Sequence, residues 1–188
     1  MKYYKMLNEN NQSCHGGKFD WTPYLPHDGQ PGEWTPAVEG KIVPCKNGYH
    51  VTGAAHLLDW ANAQLYEAEV DEPVEGTEKL ACRRGRLTRK IDTWNDKILR
   101  LFACWCVRQV WPLLTDERSR NAVEVAERYA NGAATDEELY AARDAARAAA
   151  RDAGDAADAA AWAAGDAADA ARAEQTAHLI EMLGLEGR

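Results

Sequence analysis

Near its C-terminus the chain reads RDAARAAARDA (143–153), GDAADAAAWAA (154–164) and GDAADAARAEQ (165–175), three consecutive copies of an eleven-residue unit. Each copy has Asp in its second place and Ala in its third, fourth, sixth and seventh places. Eleven residues make three helical turns at about 3.67 residues per turn, so the stripes of such a helix stay in line. Ala is also the best helix former. The repeat therefore predicts a long Ala-rich helix over about 136–183.

The order of charges along this helix suggests how it is used. Three arginines come first, and the aspartates of the next two copies follow. Two such helices packed antiparallel would bring Arg against Asp at both ends, which favours a homo-oligomer. The alternative is that the helix folds back on the segment 94–111 of its own chain. The residues predicted to bind a partner are Arg143, Arg147, Arg151, Asp155, Asp158, Trp162, Asp166 and Asp169, with Trp162 as either an anchor or a lid.

The rest of the sequence predicts an α+β protein in two parts. Apolar residues recur at helical spacing after residue 92, where Asp92 or Thr93 can cap a helix. Thr135 and Glu138 have the spacing of a capping box. The predicted parts are a small mixed α/β domain over 1–88 and a helical region over 89–188, with helices at about 92–111, 116–130 and 136–183.

Within the first part, alternating residues predict short strands, and one apolar run predicts a helix. Thr52 would cap that helix, which would continue to Ala61. The predicted strands are Tyr3–Leu7, Lys41–Pro44, Leu65–Val70 and Ala81–Leu87.

Charge and composition exclude two classes of function. The formal net charge is −8, and all of it belongs to residues 116–188, because residues 1–115 contain 14 basic and 14 acidic side chains. Without a basic patch, direct nucleic-acid binding is not expected. No apolar run is long enough for a membrane span. Five irregularly spaced cysteines indicate a reducing compartment, so a cytoplasmic location is expected.

A motif in the first part carries the clearest resemblance. Cys45 to His50 reads Cys-Lys-Asn-Gly-Tyr-His; Tyr4-Lys5 and Cys14 precede it, and Glu69-Val70 follows. These features resemble an uncharacterised family of phage and bacterial accessory proteins over residues 1–90. The resemblance implies a phage setting, with a host protein or a small ligand as partner. A metal site at Cys14, His15, Cys45 and His50 is an alternative, but the spacing matches no familiar zinc pattern.

A second resemblance is to ADP-ribosyltransferase-like folds. Gly48 to Thr52, then Asp59-Trp60-Ala61, then Glu67 or Glu69 follow the order of segments in such enzymes. The resemblance implies NAD as cofactor, a ring that stacks on nicotinamide and a carboxylate that stabilises the charge developing on the ribose. The catalytic candidates on that alternative are Tyr49, His50, Glu67 and Glu69.

The main expectation is a non-enzymatic accessory protein without a cofactor or metal. It would bind a host protein or a small nucleotide-like ligand, and inhibition of a host defence system is one form of that role. The ligand-binding candidates are Tyr4, Lys5, Trp21, Trp34, Tyr49, His50 and Thr52.

Overall fold

A computed structural model describes residues 2–14, 17–152 and 165–186. It has the α+β class that the sequence predicts. The chain divides into two compact units, Met1–Trp94 and Asn95–Arg188. The boundary predicted after residue 88 falls inside a strand.

The N-terminal unit is built from two three-stranded antiparallel sheets. The first has the strand order β1-β3-β6, and the second has the order β2-β5-β4. An isolated bridge between Tyr4 and Thr52 connects β1 to the end of β2. The strands are β1 (Tyr3–Leu7), β2 (Tyr49–Val51), β3 (Gln64–Asp71), β4 (Val74–Glu75), β5 (Leu80–Cys82) and β6 (Arg84–Lys90).

One face of the first sheet carries the core of this unit. Because side chains alternate along a strand, Leu7 of β1, Tyr66 and Ala68 of β3, and Leu87 of β6 share a face. Trp21 and Val51 pack on them, and the six residues form one buried hydrophobic cluster. Lys5 belongs to the same face of β1 and opposes Tyr66. The fold therefore places an ammonium group beside an apolar core.

The sequence expectation for 52–61 was wrong. Thr52 is extended and pairs with Tyr4, and its hydroxyl donates to the carbonyl of Glu78 at 3.1 Å. It therefore cannot cap a helix, and two short 3₁₀ turns, Ala54–His56 and Leu58–Trp60, replace the expected α-helix.

Two expected strands also differ. Val43 forms only an isolated bridge with Asn47, because Cys45 adopts a left-handed backbone (φ 64°) that turns the chain. The expected strand Ala81–Leu87 is divided at Arg83 between the two sheets, as β5 and β6. The second edge of β6 is covered, since the amides of Gly32 and Thr35 donate to its carbonyls at 2.8 and 2.9 Å.

The described part of the C-terminal unit contains four α-helices: α1 (Asp96–Gln109), α2 (Glu117–Ala130), α3 (Asp136–Asp152) and α4 (Gly165–Met182). Asn95 caps α1, not Asp92 or Thr93, by accepting from the amide of Ile98. Asp116 caps α2. Residues 153–164 lie outside the described residues, and so does the expectation of one continuous helix over 136–183. No helix in the described ranges is long and apolar enough to cross a membrane.

Helix packing fixes the surface that this unit presents. α2 packs against both α1 and α3, and α4 packs against α1. The ring of His178 on α4 stacks on Trp105 of α1, with centroids 4.0 Å apart, and Leu179 is fully buried. The end of the chain thus folds back on α1, as one of the two sequence interpretations expected.

The capping box at the start of α3 is present, and it generates a stability prediction. The Glu138 amide donates to Thr135 Oγ1 at 3.3 Å, and the Thr135 amide donates to Glu138 Oε2 at 2.8 Å. Thr135→Ala is expected to lower the free energy of unfolding by about 1 kcal/mol in urea denaturation, because an amide loses its acceptor. Thr135→Ser keeps the acceptor and is the control. Equal losses in both variants would contradict the role of the hydroxyl.

Candidate functional site

A cavity of about 610 Å³ lies in the N-terminal unit beside β1 and β2. Its wall includes the Tyr4–Met6 part of β1, residues 13–14 and 17–19, the turn at Cys45, the strand β2 and Lys79 just before β5. This volume is typical of small-molecule sites. It is the candidate functional site.

Lys5 places a buried ammonium group in the cavity wall. Only 6% of the Lys5 surface is exposed. Its Nζ donates a hydrogen bond to the carbonyl of His50 at 2.8 Å. Nζ also lies 5.2 Å from the centroid of the Trp21 ring. Desolvation lowers the pKa of Lys5 to about 8. Of its three N–H donors, one has a hydrogen-bond acceptor among the described residues, so the group is only partly satisfied.

His50 is neutral and held by the backbone. Its Nε2 accepts from the amide of Cys45 at 2.9 Å, which assigns the ring proton to Nδ1. Desolvation, and then the positive charges of Lys79 and Lys5, lower the pKa of His50 to about 4. A neutral imidazole beside two ammonium groups adds no positive charge of its own. Its role here is to fix the turn and to supply a polar edge.

Four lysines line the cavity, and their positions differ in depth. Lys5 is buried, Lys79 is half-buried with Nζ 4.1 Å from the Trp60 ring centroid, and Lys18 and Lys46 are exposed. Among the described lining residues there is no Asp or Glu. The cavity is therefore strongly electropositive, although the chain is acidic.

Aromatic rings supply the apolar part of the wall. Phe19 packs edge-on against Tyr49 at 4.8 Å between centroids, and both line the cavity with Tyr4 and Trp60. The hydroxyl of Tyr49 donates to the carbonyl of Pro36 at 3.1 Å. Burial raises the pKa of Tyr49, so it stays a neutral phenol. Flat apolar surfaces beside ammonium groups suit a ligand with a ring and a negative charge.

The acidic side chains of β3 are held away from the cavity. Their carboxylates pair across the strand with arginines of β6, at N–O distances of 2.6 to 2.8 Å. The pairs are Glu67 with Arg89, Glu69 with Arg86, and Asp71 with Arg84. These arginines are therefore neutralised, whereas the four cavity lysines form no ion pair with the described residues.

The structure brings together most of the predicted ligand-binding residues. Tyr4, Lys5, Tyr49, His50 and Thr52 all line the cavity. Trp21 is in the core behind it, with Nε1 donating to Ser13 Oγ. Trp34 lies elsewhere, beneath the guanidinium groups of Arg84 and Arg86.

The other predicted residues lie outside this site. Glu67 and Glu69, the carboxylates of the transferase alternative, do not line the cavity. Arg143, Arg147 and Arg151 are on α3, and Asp166 and Asp169 are on α4. Asp155, Asp158 and Trp162 lie outside the described residues. No group of three or more metal-ligating side chains occurs in the described ranges.

Sequence reasoning missed Lys18, Lys46 and Lys79. They are far apart in the chain, and the 14 basic and 14 acidic residues of 1–115 hide their clustering. Matching the three acidic residues of β3 to the three arginines that follow still leaves 11 basic and 11 acidic side chains in 1–115. No local pattern in the sequence therefore identifies the lysine cluster.

The Cys-Lys-Asn-Gly-Tyr-His motif shapes the wall of the cavity. Asn47 Nδ2 donates to the carbonyls of Glu39 and Lys41 at 2.8 and 3.0 Å, which closes the turn. Gly48 has φ 133°, and a Cβ built there would lie 3.1 Å from the carbonyl oxygen of Cys82. These residues are required by the backbone path, and they bring β2 against β5.

Comparison of the chain with known protein families, curated proteins and solved structures found no significant match.

The motif generates a second stability prediction. Gly48→Ala should cost about 2–4 kcal/mol of unfolding free energy, because it adds both backbone strain and a close contact with Cys82. Gly29→Ala is the matched control, since Gly29 also has a positive φ (73°) but nothing within 4 Å of its Cβ position. It should cost only about 1 kcal/mol. Equal losses in thermal or urea denaturation would contradict the close-contact argument.

Lys5 generates a third prediction. At pH 7 the folded state holds a charged group whose pKa has fallen from 10.5 to about 8, so its burial opposes folding. Lys5→Met should therefore raise the free energy of unfolding at pH 7, by roughly 1–3 kcal/mol after the lost hydrogen bond is subtracted.

The stabilisation gained by Lys5→Met should decrease as the pH rises. Between pH 8 and 10.5 the folded state releases the Lys5 proton before the unfolded state does, so the cost of burial disappears. The stability difference between Lys5→Met and the unmodified chain should shrink over that range, as measured by urea denaturation at each pH. A variant that is less stable at pH 7 would refute this account.

Proposed function

We propose that the N-terminal unit binds a small phosphate-bearing organic anion, a nucleotide or a similar compound, without transforming it. The observation that carries this proposal is the electropositive cavity, in which four lysines and no acidic side chain line the described wall. Ammonium groups are strong partners for phosphate oxygens. A buried lysine with unused donors is the natural centre of such a site.

The cavity's size and aromatic wall support the nucleotide class. A volume of about 610 Å³ admits a mononucleotide-sized ligand. Trp60, Tyr49 and Phe19 offer ring surfaces, and Lys5 and Lys79 lie among them. Several ammonium groups match the charge of a phosphate or diphosphate better than that of a single carboxylate.

The transferase alternative has less support. Glu67 is paired with Arg89 and Glu69 with Arg86, and neither lines the cavity. A carboxylate that stabilises an oxocarbenium-like state must reach the reacting carbon. NAD is therefore treated as one more anionic ligand to be tested for binding.

The cellular setting belongs to the proposal. All five cysteines are free thiols, which supports a reducing compartment such as the cytoplasm. The resemblance of residues 1–90 to phage and bacterial accessory proteins supports a role in the host cell. Sequestering or sensing a host nucleotide would be consistent with such a role.

Calorimetric titration of the full chain with ADP, NAD and pyrophosphate, and with adenosine as the uncharged comparison, tests the proposal. ADP is expected to bind at least about tenfold more tightly than adenosine, because only ADP meets the lysines. Binding should weaken as the pH rises through 8, where Lys5 loses its charge in the unliganded protein. The bound nucleotide should be recovered intact.

Three lysine variants provide the comparison. Lys5→Met and Lys79→Met should each weaken ADP binding by about tenfold or more, because each removes an ammonium group from the wall. Lys41→Met is the matched control, since Lys41 is exposed and does not line the cavity. Equal affinity for ADP and adenosine, or equal losses in all three variants, would refute the assignment.

A further inference from the structure

The cavity of the N-terminal unit contains one amine that differs from the other lysines of its described wall. Lys18 and Lys46 are exposed and Lys79 is half-buried, whereas only 6% of Lys5 is exposed. The backbone of Lys5 belongs to β1, whose pairing with β3 fixes where the side chain begins. A site built on a strand is held more precisely than one built on a loop. These features make Lys5 the candidate for a role beyond attracting an anion.

The Nζ atom of Lys5 is positioned from two sides. It donates a hydrogen bond to the carbonyl of His50 at 2.8 Å, and this carbonyl belongs to the paired strand β2. On another side, the centroid of the Trp21 ring lies 5.2 Å from Nζ. The atom is therefore held in the cavity wall by a fixed backbone acceptor and a ring of the core.

A buried amine of this kind is suited to nucleophilic attack. Lysine attacks a carbonyl carbon only as the neutral amine, and desolvation favours that form. Desolvation lowers the pKa of Lys5 to about 8, although the thiols of Cys14 and Cys82 act in the opposite direction, and the charge of Lys79 lowers it further. At pH 7 about one-tenth of Lys5 is then neutral, against about 0.04% of a lysine with the ordinary pKa of about 10.4.

The rest of the wall indicates which carbonyl compound fits. The charge of Lys79 acts on Lys5, and its Nζ lies 4.1 Å from the centroid of the Trp60 ring. An ammonium group in that position suits a phosphate near the buried amine. The rings of Phe19 and Tyr49 supply apolar surface for the planar part of a ligand. The wall therefore combines a nucleophile, a phosphate partner and ring contacts within one cavity.

We propose that the ligand of this cavity is a small phosphorylated aldehyde, and that Lys5 binds it covalently as an imine. The proposal rests on the proposed function, because it names the ligand class of the same anion site. Nζ forms a bond to the aldehyde carbon, both carbon–oxygen bonds break, and the oxygen leaves as water with the two hydrogens of the neutral amine. The step needs no oxidant or reductant. Addition of water reverses it and releases the ligand unchanged.

The hydrogen bonding around Nζ fits an imine better than a free ammonium group. A protonated imine nitrogen keeps a single N–H, and the described residues offer Nζ a single acceptor, the carbonyl of His50. A free ammonium group has three N–H donors and needs two more acceptors. The imine therefore removes the donors that the wall does not match. The apolar ring of Trp21 on the other side disfavours the water that would reverse the bond.

Labelling of the full chain with pyridoxal 5′-phosphate, a phosphorylated aromatic aldehyde, tests the proposal. One equivalent is added near neutral pH, the imine is reduced with borohydride, and the labelled residue is located by peptide mass spectrometry. Lys5 should carry at least about tenfold more label than any of the seven other lysines, because it has the larger neutral fraction. Lys5→Met should lose this label. Lys41→Met is the matched control and should keep it, since Lys41 is exposed and outside the cavity.

Two analogues separate the imine from simple anion binding. Pyridoxal lacks the phosphate and should label Lys5 at least about tenfold more slowly, because Lys79 then has no partner on the ligand. Pyridoxine 5′-phosphate lacks the aldehyde and should compete with the label without forming one. Label spread evenly over the exposed lysines, or equal labelling of Lys5 by pyridoxal, would overturn the proposal.

The outcomes also distinguish this proposal from the proposed function. If ADP and pyridoxine 5′-phosphate bind but pyridoxal 5′-phosphate leaves Lys5 unlabelled, the imine is refuted and the anion site stands. If neither ADP nor pyridoxine 5′-phosphate binds, both proposals are refuted.

Discussion

The N-terminal unit is organised around the hydrogen bond from the Lys5 ammonium group to the carbonyl of His50, at 2.8 Å. Lys5 occupies a position on β1 whose neighbours on the same face are core residues, so the fold cannot expel it to solvent without losing the alternation of the strand. A charge in that position opposes folding. Proteins keep destabilising groups of this kind at functional sites. Lys5 lies in the wall of the cavity, as that argument expects.

The positive cavity exists because the other charges of the unit are sorted onto a different surface. Glu67, Glu69 and Asp71 alternate along β3 and face away from the core residues between them. A register shift between Glu67 and Ala68 places Arg89, not Thr88, opposite Glu67. This bulge completes the third ion pair. Exposed pairs of this kind add little stability, so their main effect is to keep carboxylates away from the lysines.

The sequence predicted those elements whose pattern is local. Alternation identified β1 and β3, and the Thr135–Glu138 spacing identified the start of α3. The helix expected after Thr52 does not form, because Thr52 pairs with Tyr4 of β1 as extended backbone. This long-range pairing outweighs the local preference of Thr for a helix cap. The cavity could be predicted only in part, because Lys5, Lys18, Lys46 and Lys79 meet through the sheet topology and not through spacing along the chain.

The motif sets the backbone geometry of the cavity wall, and the lysines set its charge. The motif alone therefore does not predict which class of ligand the cavity binds. Asn47 and Gly48 are fixed by backbone geometry, and His50 is a neutral acceptor for the Cys45 amide. These residues shape their part of the wall through the backbone, without adding charge. The charge of the cavity comes from lysines of which only Lys46 lies inside the motif. A related chain that keeps the motif but replaces Lys5 and Lys79 would therefore keep the cavity and bind a different class of ligand.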